Sequence, residues 1–170
     1  SMVRGIQSRG VGTSIKHYAA NNQESHRLVV DAVIDERTLR ELYLRGFEIA
    51  VTESSPWTVM CSYNLVNGTW CGENHALLTE VLRDEWGFDG LVMTDWGATN
   101  DRVAGVSAGL DLEMPGSKGS FDSEIAAAVA DGRLSEAAID ACAERVVELL
   151  QRGQQPGLRP VADHDGHHQL

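Results

Sequence analysis

The chain has 170 residues, ordinary apolar content (42%) and a net charge of −11, which is enough length for one domain with a real core. The acidic balance, with no cluster of Lys and Arg to neutralise phosphates, excludes a nucleic-acid partner. No apolar run reaches the ~18 residues that mark a membrane span, and no basic-then-apolar leader opens the sequence.

Ser1-Met2 ahead of Val3-Arg4-Gly5 reads as a cloning remnant, which puts the natural N-terminus upstream. Cys61, Cys71 and Cys142 are too few for a disulfide scaffold and sit in no metal-binding spacing. Buried thiols are the simplest reading, with a Cys61–Cys71 bridge left open.

Four apolar runs, 12–16, 58–62, 90–94 and 108–114, each pass into polar or glycine-rich sequence and then a helical pattern or a capped turn. They read as strands of repeated β/α units. The first helix is expected to start at Asp35 as N-cap and to present Leu39, Leu42, Tyr43, Phe47 and Ala50 to the sheet. A second opens near Asn74, buries Leu77, Leu78, Val81 and Leu82, and stops at Gly87. Phe88-Asp89-Gly90 turns the chain into the third strand. Ser123 and Ser135 are expected to cap two further helices. The last of these carries Ile139, Cys142, Val146, Leu149 and Leu150 before Gly153 and Pro156 end it, and 156–170 reads as linker.

Strands that alternate with helices need crossovers, so the fold class is α/β with a parallel sheet. A small open sheet and half of a (β/α)8 TIM-type barrel both fit; eight units take ~250 residues, so four units suit this length.

Catalytic groups in β/α folds sit where strands end. Those positions hold Lys16-His17-Tyr18, Ser62-Tyr63-Asn64, Asp95-Trp96-Gly97 and Glu113-Met114-Pro115-Gly116. Asp95 directly after Leu91-Val92-Met93 is either a helix cap or a carboxylate at the mouth of the sheet. Trp96 beside it supplies an aromatic face suited to the C–H surface of a sugar ring, while a carboxylate can attack an anomeric carbon. Lys16 and His17 can donate to hydroxyls, and Tyr63 can donate or merely pack. Glu24 and Arg27 read as an ion pair on a helix surface.

Four ordered blocks go further: KHYAANNQE from Lys16, MCSYNLVNG from Met60, ENHALLTEVLRDEWGFDGLVMTDWG from Glu73 and AGLDLEMPG from Ala108. Together they resemble the β-glucosidases of glycoside hydrolase family 3, over 3–150. The resemblance implies that Asp95 is the nucleophile of a retaining β-glycosidase and that Trp96 lines the sugar subsite. It makes Lys16 and His17 ligands of the sugar hydroxyls, Tyr63 a partner near the nucleophile and Met60 part of the pocket wall. Glu24 and Arg27 would buttress the lysine-histidine loop.

The KHYAAN form is similar to the glucosidase and xylosidase branch, not to the N-acetylglucosaminidase branch. The substrate implied is a β-glucoside or oligosaccharide, with a β-xyloside as alternative, and no cofactor is called for. In such a family the acid/base glutamate lies in an α/β sandwich domain after the barrel. Residues 1–155 would thus be the second half of the catalytic barrel and 156–170 a linker toward a domain absent from this chain, leaving the chain inactive by itself. Half a barrel exposes strand edges and apolar surface, so self-association or pairing with the other half is expected. A non-catalytic sugar-binding or structural module is the competing reading. The histidines and aspartates of 163–168 could ligate a metal, but a terminal linker gives them no fixed geometry.

Overall fold

The computed structural model describes residues 1–154. It is an α/β fold built on a parallel sheet. Helix α1 (Met2–Gln7) precedes strand β1 (Ser14–Tyr18), and β2 (Asp31–Ala32) follows a loop. Helix α2 (Glu36–Thr38) runs through a more widely wound π segment (Leu39–Leu44) into α3 (Arg45–Ser54). Then come β3 (Thr58–Cys61), β4 (Leu65–Val66), β5 (Thr69–Trp70), a 3₁₀ turn at Cys71–Glu73 and a π-wound helix, Ala76–Glu85. β6 (Leu91–Met93), α4 (Arg102–Ala108), α5 (Asp122–Ala130) and α6 (Glu136–Gly153) complete the described chain.

The principal sheet has the order β1-β3-β6, all parallel, with Val59 opposite both Ile15 and Val92. Each connection crosses over through a helical segment, as parallel pairing requires. β3 lies between the other two strands, and all four of its residues are buried, which is why it reads as an unbroken apolar run. The core joins Tyr18, Val59, Cys61 and Val92 of the sheet to Leu39, Leu44, Leu77, Leu78 and Leu82 of the helices. Burying one such leucine contributes ~1.5–3 kcal/mol. Gly90 admits β6 beside β3: a Cβ there would lie 2.4 Å from the Trp57 carbonyl oxygen and 2.7 Å from the Phe88 ring.

Several expectations hold in detail. Asp35 caps α2 by accepting from the Thr38 amide at 3.0 Å, and Ser135 caps α6 by accepting from Ala138 at 3.2 Å. Asn74 accepts from the Leu77 amide at 3.1 Å, and Gly87 takes a left-handed conformation, φ 70°. All three cysteines are buried free thiols, and burial pushes Cys61 up to about 12.

Others need correction. Leu42 is 68% exposed while Leu44 is buried, because the π winding shifts the helical phase away from the 3.6-residue repeat. Ser123 is no cap: α5 starts at Asp122, with Phe121 in the cap position. The run 108–114 is not a strand. Ala108 ends α4, Gly109 turns left-handed, and only the Leu112–Met93 bridge adds to the sheet. A second sheet was not anticipated: β2 pairs parallel with β4, and β4 forms a hairpin with β5 across Asn67 and Gly68, both at positive φ. Pro156 and the 163–168 tail lie outside the described residues. Among the described residues no helix is long and apolar enough to cross a membrane.

Candidate active site

The site forms where the parallel strands end. β6 stops at Met93, and the two residues that follow are held from several directions. The Thr94 amide donates to the Leu112 carbonyl at 3.0 Å, and the Thr94 hydroxyl accepts from the Met114 amide at 2.8 Å. The Gly97 amide reaches the Met114 carbonyl at 3.0 Å. Asp95 is thus fixed at both flanks, with 9% of its surface exposed.

Both carboxylate oxygens of Asp95 have partners. Oδ1 accepts from the Trp96 amide at 2.7 Å, and Oδ2 lies 3.1 Å from His17 Nε2 at the end of β1. That contact is a hydrogen bond with a neutral imidazole and an ion pair with a protonated one. The Asp95 carbonyl accepts from Ala98, so the residue closes a tight turn and caps no helix; α4 is capped by Asp101. The carboxylate stays available for chemistry.

Tyr63, two residues past β3, donates its hydroxyl to the Trp96 carbonyl at 2.9 Å. Burial and then the nearby Asp95 carboxylate raise its pKa, so it remains a protonated donor. The Arg27 guanidinium stacks over the Tyr63 ring at 5.0 Å and pairs with Glu24 at 3.3 Å. Trp96 itself is 54% exposed, leaving the face of its indole open to solvent. Met60 is buried in β3 opposite Met93. Lys16 is exposed, makes no hydrogen bond or ion pair among the described residues, and borders a shallow depression with Leu42, Tyr43 and Phe47. Of the residues singled out from sequence, the fold gathers His17, Tyr63, Trp96 and, through Tyr63, Arg27 and Glu24 around Asp95.

Sequence reasoning passed over three charged residues behind this site. The Asp111 carboxylate is fully buried and accepts from Arg83 and Arg145 at 2.8 Å each and from the Val92 amide at 2.8 Å. An acidic residue inside the apolar run 108–114 was the available signal. Glu73 is also engaged structurally: it accepts from the Asp101 amide at 2.8 Å, and burial raises its pKa. Among the described residues no group of three or more His, Cys, Asp or Glu converges to hold a metal.

Residues 1–149 match the model of the glycosyl hydrolase family 3 N-terminal domain. The chain belongs to glycosyl hydrolase family 3. It is 51% identical, over its whole length, to thermostable β-glucosidase B of Acetivibrio thermocellus, of which it covers 23%. Over 89% of its length it is 56% identical to an exo-α-(1→6)-L-arabinopyranosidase of Bifidobacterium breve, covering 20% of that protein.

Among solved structures of the family, the β-glucosidase of Bifidobacterium adolescentis superimposes with a TM-score of 0.90 at 48% identity, over 99% of this chain and 25% of that one. β-Glucosidase 3B of Thermotoga neapolitana, solved in complex with glucose, gives 0.86 at 44% identity over 98% of this chain and 25% of that one. The chain spans about a quarter of the length of these family members.

Proposed function

We propose that this chain is part of a retaining β-glycosidase that hydrolyses terminal β-D-glucosyl residues through a covalent intermediate on Asp95. The observation that carries the reading is the Asp95 carboxylate itself, 9% exposed at the end of β6, with Trp96 N and His17 Nε2 each aiming a hydrogen at a different oxygen. Such a group is oriented before substrate arrives, which is what nucleophilic attack needs. One Asp95 oxygen attacks the anomeric carbon as the bond to the leaving oxygen breaks. The leaving oxygen takes a proton from an acid, and water later releases the sugar.

Retention requires a second carboxyl group about 5 to 5.5 Å from the first. We assign that acid/base role to a glutamate outside this sequence, which makes the isolated chain inactive. The other roles are those that the family resemblance implies: Trp96 receives the sugar face, Lys16 and His17 donate to its hydroxyls, Met60 backs the pocket, Tyr63 lies near the nucleophile, and Glu24 and Arg27 buttress the lysine-histidine loop, with Arg27 also over the Tyr63 ring.

Residues 1–155 then form the second half of a (β/α)8 barrel, with 156–170 a linker toward a sandwich domain. The outer edge of β1 and the exposed Leu42 and Ile49 support a surface awaiting further β/α units. The isolated chain is expected to self-associate in sedimentation velocity; a stable monomer would argue against the half barrel.

The deciding experiment uses the complete protein and a 2-deoxy-2-fluoro-glucosyl fluoride. Its good leaving group bypasses the acid, so the sugar should remain on Asp95 in a peptide map, and Asp95→Asn should lose turnover of an aryl β-glucoside by on the order of 10⁴-fold. Label on another residue, or an active Asn variant, would overturn the assignment. A second reading concerns the sugar: the arabinopyranosidase relative is 56% identical and the β-glucosidase relative 51%. Ranking kcat/KM on aryl β-D-glucoside, β-D-xyloside and α-L-arabinopyranoside separates the two.

A further inference from the structure

β6 is only three residues long, and it carries the candidate nucleophile two residues beyond its end. On one side it pairs regularly with β3; on the other, among the described residues, a single bridge at Leu112 replaces a strand. With so little backbone pairing on that side, so short a strand should slip easily, since one residue of slip moves the chain by ~3.3 Å. Something else has to fix it.

That role falls to a side chain. Asp111 Oδ2 accepts the Val92 amide hydrogen at 2.8 Å, while the Val92 carbonyl accepts from the Asp111 and Leu112 amides at 3.0 and 3.1 Å. The carboxylate is itself immobilised. Arg83, from the Ala76–Glu85 helix, donates to Oδ2 and Arg145, from α6, to Oδ1. Arg83 also donates to the Gly90 carbonyl at 3.1 Å, just before β6, and to the Gly109 carbonyl at 3.2 Å, at the end of α4. The entrance and the centre of β6 are therefore tied to two helices through one buried charge cluster, and Thr94 ties the exit.

A buried ion cluster is a poor way to gain stability, because desolvating the ions offsets most of their attraction. Its distinguishing property is directionality: charged hydrogen bonds are strong and hold narrow geometry. We propose that Asp111 is a positioning residue, which, with Arg83 and Arg145, sets the register of β6 and so holds Asp95 within 3.1 Å of His17. The proposal rests on the reading of Asp95 as nucleophile.

Asp111→Asn keeps the shape but cannot accept from both arginines and the Val92 amide at once, since its NH₂ group confronts a guanidinium. In the complete protein, with folding checked by near-UV circular dichroism, this variant should be labelled on Asp95 by the fluoro-sugar about 10- to 100-fold more slowly. Its kcat should fall by the same factor, and its dissociation constant for glucose, measured by calorimetry, should change by less than about threefold. A residue that served folding alone would leave the labelling rate of the folded fraction unchanged, and that result overturns the proposal.

Should the Asn variant fail to fold, Arg145→Lys decides. It retains the charge but loses the planar fork, and should slow labelling about three- to tenfold; an unchanged rate overturns the proposal. A parent protein that takes no label on Asp95 removes the nucleophile assignment and this proposal with it. That failure is visible before any variant is made.

Discussion

The two sides of the candidate site are built by opposite means. On the β6 side, the groups around Asp95 are anchored by a dense set of bonds: a fully buried carboxylate, two arginines, a threonine hydroxyl and the amides of Val92, Trp96 and Gly97 are engaged. On the β1 side the register with β3 breaks between Ile15 and Tyr18, the outer edge has no partner among the described residues, and Glu24 is 81% exposed. The group that would attack is thus fixed within this stretch of chain, while the groups that would read the sugar sit on an open flank. Pre-organisation is concentrated where a small displacement costs most.

Three substitutions test that contrast. Asp111→Ala should have the largest effect on stability, because it strands two arginines whose side chains are only 10% and 25% exposed. Losing one partner of a buried pair costs ~3–5 kcal/mol, so urea unfolding should show the midpoint collapse; a loss below about 1 kcal/mol would mean that solvent already screens the cluster. His17→Ala, at the junction of the two sides, removes one hydrogen bond to a carboxylate. In the complete protein it should reduce kcat/KM by ~1.5–3 kcal/mol of transition-state stabilisation, or roughly 10- to 100-fold, with little change in unfolding midpoint. Glu24→Gln breaks an exposed pair of a kind that contributes ~0–1 kcal/mol. Its effect on the unfolding midpoint should be small and should vanish in high salt; a large loss would show the β1 side to be as tightly built as the other.

How much of this was legible depends on the range of the signal. Asp35, Ser135, Leu77, Leu78, Val81, Leu82 and Gly87 declare themselves locally, since a cap, a buried stripe or a left-handed turn is written within a few residues of where it acts. Leu42 misled because a 3.6-residue repeat cannot reveal a turn wound more widely. The run 108–114 misled more instructively. Its apolar content is that of a strand, but Asp111 uses a side chain where a strand would use its backbone, and its partners lie 28 and 34 residues away. Nothing local to Arg83 or Arg145 marks them out in the sequence, for the same reason. The β4–β5 hairpin was there to be read in Asn67-Gly68. Strand-end position singled out Asp95, and four ordered sequence blocks gave it a proposed role; neither showed what keeps it still.

Trp96 gives the site an optical reporter. Trp57, Trp70 and Trp86 are each half-buried, and only the indole next to Asp95 is exposed among the four tryptophans. Water-borne quenchers therefore reach one fluorophore first, the one against which a sugar ring would lie. The arrival of a ligand can be followed by light through the residue that would receive it, without a dye or a leaving group.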